Sequence, residues 1–137
     1  MEKTPQKRHF APIPQRTEQL GKVVLDAAYR VHTALGPGHL ESVYETTLAY
    51  EIRKAGVTVA TQVTLPARYD GLELELGFRL DLLVENAVIA ELKAAENIIP
   101  LYEAQLMTYL RLSGIRLGYL ISFNVPHLKD GIKRIVV

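Results

Sequence analysis

The 137-residue chain contains no cysteine and no tryptophan. Without a thiol, disulfide bonds, thiolate nucleophiles and cysteine-ligated zinc sites are excluded. The chain also has little excess charge of either sign, because it contains 16 Lys and Arg residues and 15 Asp and Glu residues, which give a formal net charge of +1. A global field that would attract nucleic acid is therefore absent, and any such binding must come from a local patch.

Long hydrophobic runs are missing as well. No run approaches the roughly 20 apolar residues that a membrane-spanning helix needs, and the first 16 residues lack the hydrophobic stretch of a signal peptide. We therefore expect a cytoplasmic protein that does not enter a membrane. Hydrophobic and charged contents of 48% and 23% are those of an ordinary globular protein.

The length fits one domain. Prolines and basic residues dominate residues 1–16, which predicts a flexible tail, either a solvated terminus or a basic arm on phosphates, before a single domain over residues 17–137. Apolar periodicity and turn residues predict the elements of that domain. Helices are predicted over 17–35, 40–55 and 100–114, and strands over 57–63, 72–84, 87–93, 116–123 and 132–137, with a bulge at Gly77. This order predicts an α/β fold with a mixed sheet of about four to five strands flanked by helices.

Two acids and a lysine interrupt an apolar strand pair. Asp81 lies on one predicted strand, and Glu91 and Lys93 lie two residues apart on the next, so that the latter two share a face. A two-residue turn at Glu85-Asn86 would place Asp81 opposite Ala90, whereas a three-residue connection would place it opposite Glu91. Asn86 tolerates the left-handed backbone that the longer connection requires, and we therefore predict the second register.

Paired carboxylates at cross-strand distance repel each other, and a shared proton or a divalent cation relieves the repulsion. A magnesium-type ion with a neighbouring lysine is suited to phosphodiester hydrolysis. The alternative is a charged strand end at the surface, with Glu91 and Lys93 forming a solvated pair. Spacing does not decide between the two.

Three motifs resemble those of the PD-(D/E)XK nuclease superfamily, and in particular its GxxExxY family. The bipartite signature is Asp81 followed by Glu91-Leu92-Lys93, residues 38–44 read GHLESVY, and residues 105–109 read QLMTY. The resemblance covers about residues 21–136 and implies a restriction-endonuclease-like core. The proline that often precedes the aspartate is Leu80 here.

The resemblance also implies roles for individual residues. Asp81, Glu91, Glu41 and the backbone carbonyl of Leu92 would bind Mg²⁺ or Mn²⁺, Lys93 would be the catalytic lysine, and Gln105 would face the site. Tyr109, one helical turn after Gln105, would contact substrate or instead belong to an amphipathic seam. Arg79, expected on the strand face of Asp81, would contact a phosphate or neutralise the acids.

These residues lead to a metal-dependent nuclease hypothesis, with nucleic acid as substrate and DNA favoured over RNA. Two other functions remain open. The chain could be a non-catalytic binding or assembly module that pairs with itself or with a larger protein, as small size and near-zero charge suggest. It could also be an enzyme acting on a small phosphorylated substrate.

Overall fold

A computed structural model describes residues 11–137, without the side chains of residues 75 and 76. This part of the chain forms three α-helices, five strands and one 3₁₀ turn. Their bounds are α1 Gln15–Leu35, α2 Glu41–Lys54, β1 Val59–Tyr69, β2 Leu72–Val84, β3 Val88–Lys93, α3 Pro100–Ser113, β4 Leu117–Ser122, the 3₁₀ turn Leu128–Gly131 and β5 Ile132–Val136.

The five strands form one sheet in the order β1-β2-β3-β4-β5. Only β3 and β4 run parallel among these neighbours, and the other pairs are antiparallel. Helix α3 provides the crossover that a parallel connection requires. The predicted α/β fold with a mixed sheet flanked by helices is therefore confirmed.

Helices cover both faces of the sheet. On one face α1 and α2 pack through Val24, Leu48 and Ile52 against strand residues including Leu82 and Leu92. On the other face α3 buries its own apolar stripe, Leu106, Tyr109 and Leu110, against Leu80, Ile89, Leu120 and Ile135. Fully burying one such aliphatic side chain contributes about 1.5–3 kcal/mol. Because β3 sends Ala90 and Leu92 toward α1 and α2, its intervening residues Glu91 and Lys93 project toward α3.

The first helix begins at Gln15, two residues before the predicted start. Ile13 packs against the core, and the Arg116 guanidinium donates hydrogen bonds to the backbone carbonyls of Ala11 and Pro12. The predicted tail boundary at residue 16 is therefore too late, because Pro14 precedes a helix without disrupting it. Residues 1–10 lie outside the described part of the chain.

Strand β1 extends beyond the alternating residues 57–63 and forms a long hairpin with β2. β1 continues from Val63 to Tyr69, where Asp70 and Gly71 both have positive φ in the tight turn. Its register with β2 shifts between Leu65 and Ala67. A Cβ at Gly77 would lie 1.8 Å from the Leu65 carbonyl oxygen, so only glycine fits there. The predicted bulge at Gly77 is confirmed.

No helix within residues 11–137 combines the length and the apolar character that crossing a bilayer requires. The cytoplasmic location stays a prediction.

Candidate active site

The β2–β3 hairpin sets the register of the two central acids. Val84 pairs with Val88 and Leu82 with Ala90, which leaves three residues, 85–87, in the connection. Both Glu85 and Asn86 have positive φ, and the Ala87 amide donates to the Val84 carbonyl at 2.9 Å. The three-residue register is thus confirmed, and its continuation places Asp81 opposite Glu91.

At this pair, side chains replace the backbone ladder. The Asp81 amide donates to Glu91 Oε1 at 2.9 Å, and the Leu92 amide donates to Asp81 Oδ2 at 2.8 Å. Each carboxylate is therefore held by a backbone amide of the opposite strand. This reciprocal clamp brings the two acids side by side, with neither free to swing away.

Glu91 is the more buried of the two acids, with 5% of its surface exposed. Burial, reinforced by the negative charge of Asp81, raises the pKa of Glu91 to about 8, and the Asp81 amide and Lys93 oppose the shift. Because desolvation penalises the ionised form, Glu91 keeps its proton near neutral pH in the metal-free protein.

Glu41, the first residue of α2, contributes a third carboxylate nearby. Its pKa is raised by burial, lowered by the charge of Lys93 and raised by the charges of Asp81 and Glu45. These couplings place the start of α2 within electrostatic range of the strand acids. Glu41, the third acid predicted from the sequence, thus lies on a helix separate from the two strands.

A buried tyrosine fixes the start of α2. Tyr44 donates its hydroxyl hydrogen to the Gly36 carbonyl at 2.6 Å and accepts the His39 amide at 3.2 Å. Its ring stacks on Phe123, with centroids 4.3 Å apart and planes 6° apart. The loop that precedes Glu41 is therefore tied to the helix and to the end of β4.

Helix α3 supplies the other side of the site. Lys93 Nζ lies 3.5 Å from Gln105 Oε1 and 4.8 Å from the centroid of the Tyr102 ring. Tyr109 is buried against Phe78 in the α3 cluster. Burial raises the pKa of Tyr109, and the charges of Glu91 and Asp81 raise it further. Tyr109 is thus both a packing residue and a neighbour of the acids.

Two expected contacts differ from the sequence analysis. Arg79 is exposed and pairs with Thr64 across the hairpin, and it is not among the charges that shift the pKa of Glu41 or Glu91. Side-chain alternation breaks between Leu80 and Leu82, which pack on opposite sides of the sheet, so the alternation on which the shared face of Arg79 and Asp81 was predicted does not hold here. Leu92 contacts Asp81 through its amide, and the role of its carbonyl stays a prediction.

Three neighbours of the site were missed. Gln62 donates its side-chain amide to Glu45 Oε2 at 2.9 Å and to Asp81 Oδ1 at 3.4 Å, and Tyr102 lies over Lys93. Glu45 follows Glu41 by one helical turn, a spacing that could have revealed it. Tyr102 lies three residues before Gln105 on the same helix. Gln62 carries no comparable local signal.

The donor set is compatible with magnesium. Within residues 11–137, His, Asp and Glu side chains do not gather into a group of three or more that could hold a metal ion. Magnesium is commonly held by one or two carboxylates, with water and substrate phosphates completing its shell. Asp81 and Glu91 supply such a pair, and the positive charge of an ion would offset the burial and the negative charge of Asp81 that raise the pKa of Glu91.

Comparison with known proteins agrees with this fold. The sequence model of the PD-(D/E)XK nuclease superfamily matches residues 18–135, which is most of the chain. The chain therefore belongs to the PD-(D/E)XK nuclease superfamily, as the three motifs predicted. Among curated proteins, none matches the chain.

A solved structure described as "Crystal structure of SSO0001" is similar to this chain, with a TM-score of 0.54 and 20% sequence identity. The match covers 88% of this chain and 59% of that one, so the chain spans about three fifths of the length of that protein. At this identity the likeness shows the fold alone. Together with the superfamily match, it confirms the predicted restriction-endonuclease-like core.

Proposed function

We propose that the chain is a metal-dependent nuclease that hydrolyses phosphodiester bonds of nucleic acid. The observation that carries this proposal is the reciprocal clamp of Asp81 and Glu91, with Lys93 two residues beyond on the same strand face. Superfamily membership supports the reaction class and a nucleic-acid substrate. Within that class, DNA is the favoured substrate.

Asp81, Glu91 and the Leu92 carbonyl are the proposed ligands of Mg²⁺ or Mn²⁺. Glu41, which does not form a three-carboxylate group with the strand acids in the metal-free chain, is proposed to join them when the ion binds. When bound, such an ion neutralises charge on the phosphodiester and lowers the pKa of a coordinated water. Glu91 must lose its proton to act as a ligand, so metal binding and proton release are coupled. The clamp would hold both carboxylates in position for such an ion.

Lys93 is the proposed catalytic lysine. Gln105 and the Tyr102 ring hold its ammonium group, and the charge of Glu41 attracts it from the α2 side. From this position Lys93 donates a hydrogen bond to the attacking water or to a phosphate oxygen that gains charge. Tyr109 and the exposed Arg79 are proposed to contact substrate, Arg79 at a phosphate farther along the hairpin.

We assign the chain to the GxxExxY family within the superfamily. Support comes from the motif over residues 38–44, in which each lettered position has a physical role. Gly38 has a φ of 100°, the charge of Asp81 acts on Glu41, and Tyr44 ties down the loop before Glu41. Such a motif preserves the position of one acid relative to the sheet.

The test is a Mn²⁺ titration by calorimetry, followed by cleavage of labelled DNA and RNA. Asp81→Asn retains an oxygen for the Leu92 amide but loses the charge, and Lys93→Ala removes the ammonium. Each is expected to lower kcat by at least about 100-fold. Lys133→Ala, at an exposed lysine paired with Glu103, is the matched control and should cleave at the wild-type rate.

Equal cleavage by wild type, Asp81→Asn and Lys93→Ala would contradict the proposal. Binding of nucleic acid or of another protein without turnover would instead identify an assembly module that keeps the nuclease fold. Turnover confined to nucleotides or other small phosphoesters would identify the third possibility.

A further inference from the structure

Strand β1 contains an unusual backbone conformation at Gln62. Within residues 11–137, four residues other than glycine have positive φ, namely Gln62, Asp70, Glu85 and Asn86. The last three lie in hairpin turns, where such φ values are expected. Gln62, with a φ of 53°, lies inside a strand. A left-handed conformation costs an L-residue about 1–2 kcal/mol, and such strain concentrates at functional sites.

The strained residue lies opposite Asp81. Thr61 pairs with Leu82 and Val63 pairs with Leu80, so the register is the same on both sides of Gln62 and Asp81. Side chains nevertheless change sides at this point. Leu82 packs toward α1 and α2, whereas Leu80 and Val63 pack toward α3. The Asp81 amide, whose hydrogen bond goes to Glu91, lies within this break.

The side chain of Gln62 extends from this break in side-chain alternation to the Asp81 carboxylate. Its amide nitrogen lies 2.9 Å from Glu45 Oε2 on α2 and 3.4 Å from Asp81 Oδ1. The other Asp81 oxygen accepts the Leu92 amide. The two oxygens of Asp81 are therefore held from two sides, one by the backbone of β3 and one by a side chain of β1.

We propose that Gln62 is a positioning residue, which holds the Asp81 carboxylate beside Glu91 and is itself anchored by Glu45. An amide suits this role because its two N–H donors can bridge two carboxylates without carrying a positive charge. A lysine or arginine here would neutralise Asp81 and compete with a cation for it. The catalytic consequence rests on the proposed nuclease function, but the effect on Asp81 does not.

Gln62→Gly is the informative variant, because glycine adopts the left-handed backbone freely and only the amide is lost. Asp70→Gly is the matched control. Asp70 has a φ of 49° in the β1–β2 turn, so its replacement removes similar strain without touching the site. The readout is hydrogen exchange of the Leu92 amide by NMR in metal-free protein, with the Ile89 amide of the same strand as the internal reference.

In Gln62→Gly, the Leu92 amide is expected to exchange at least about tenfold faster than in wild type, while the Ile89 amide is unchanged. Mn²⁺ affinity is expected to fall about 10-fold, the lower end for loss of a group that orients a ligand. If the chain cleaves nucleic acid, kcat should fall similarly with KM unchanged. Gln62→Glu, which cannot donate, should likewise accelerate exchange of the Leu92 amide.

The proposal would be overturned if the Leu92 amide of Gln62→Gly exchanged at a rate within twofold of its rate in Asp70→Gly. Equal acceleration at the Leu92 and Ile89 amides would also overturn it, because that result signals general loosening of the strand. Absence of cleavage by the wild type would end the nuclease proposal alone, because Leu92 exchange in the metal-free protein still decides the role of Gln62.

Discussion

Glu91 has an ionisable carboxyl group in the central strand β3, where every residue from Val88 to Leu92 is buried. An unpaired charge there would be costly, and ordinary buried acids shift their pKa upward instead. Asp81 adds a second negative charge beside it and so favours the protonated form further. This shifted acid is a feature of the folded chain that a sequence motif does not reveal.

Stability of the metal-free protein should fall as the pH rises from about 5 to about 8. Folding raises the pKa of Glu91 from 4.5 to about 8, so the folded state binds more protons than the unfolded state in this window. The contribution of Glu91 is fully present below pH 4.5 and is lost as pH rises through 8, with a slope of at most about 1.4 kcal/mol per pH unit.

Urea unfolding in EDTA at several pH values measures this slope. Glu91→Gln, which mimics the protonated acid, should flatten the curve, and the difference between the two proteins removes contributions from other titrating groups. Parallel curves for wild type and Glu91→Gln would contradict the assigned pKa shift.

At the scale of elements, local sequence predicted most of the fold. Gly36-Pro37-Gly38 and Gly114 ended helices where the structure ends them, and Pro100 begins α3 as predicted. Strand β1 extends past the predicted residues 57–63 to Tyr69, and apolar residues continue to alternate along it at Leu65, Ala67 and Tyr69. A proline is tolerated in β1 because this strand lies at the edge of the sheet.

The link between α2 and the loop before it can be tested at Tyr44. Tyr44→Phe keeps the stacked ring but loses the hydroxyl that joins the Gly36 carbonyl and the His39 amide. We expect a loss of about 1–2 kcal/mol in the free energy of unfolding, together with slower cleavage because Glu41 is less firmly placed. Tyr50→Phe, at a tyrosine 61% exposed on the same helix, should change neither quantity.

Denaturant unfolding followed by circular dichroism measures the first effect, and the cleavage assay measures the second. Equal stability of Tyr44→Phe and Tyr50→Phe would show that the hydroxyl does not hold the loop.

At the scale of the whole molecule, two apolar clusters lie on opposite faces of one sheet. Both clusters contain side chains from strands β1 to β5, one cluster on the α1–α2 face of the sheet and the other on the α3 face. Side chains of neighbouring strand residues enter different clusters, as Ile89 and Ala90 do. Loss of either cluster therefore exposes the same strands, which favours a single cooperative unit, as the length predicted.

Residues 17–137 should unfold in one transition. Leu48→Ala on α2 and Leu106→Ala on α3 each remove a fully buried side chain from a different cluster. Each is expected to shift the whole transition, by about 2–5 kcal/mol. Far-ultraviolet and near-ultraviolet circular dichroism should report the same midpoint in each variant. A second transition, or a shift confined to one signal, would indicate two separately stable units.

The sequence by itself determined the features that depend on short stretches of chain. These are the helices, the hairpin register that sets Asp81 opposite Glu91, and the residue types that identify the superfamily. Periodicity, turn residues and motif spacing are local signals that extend over a few residues, so they can be read directly from the sequence. They predicted the elements and the central acidic pair.

Only the tertiary structure decided how the environment modifies that pair. The face change at Gln62, the exclusion of Arg79 from the acids and the elevated pKa of Glu91 depend on packing between residues far apart in the chain. Burial and electrostatic fields sum over all neighbours in space, so a position such as Gln62 has no local signal. The hairpin acids were visible in the sequence, but the residues that hold them were set by the fold.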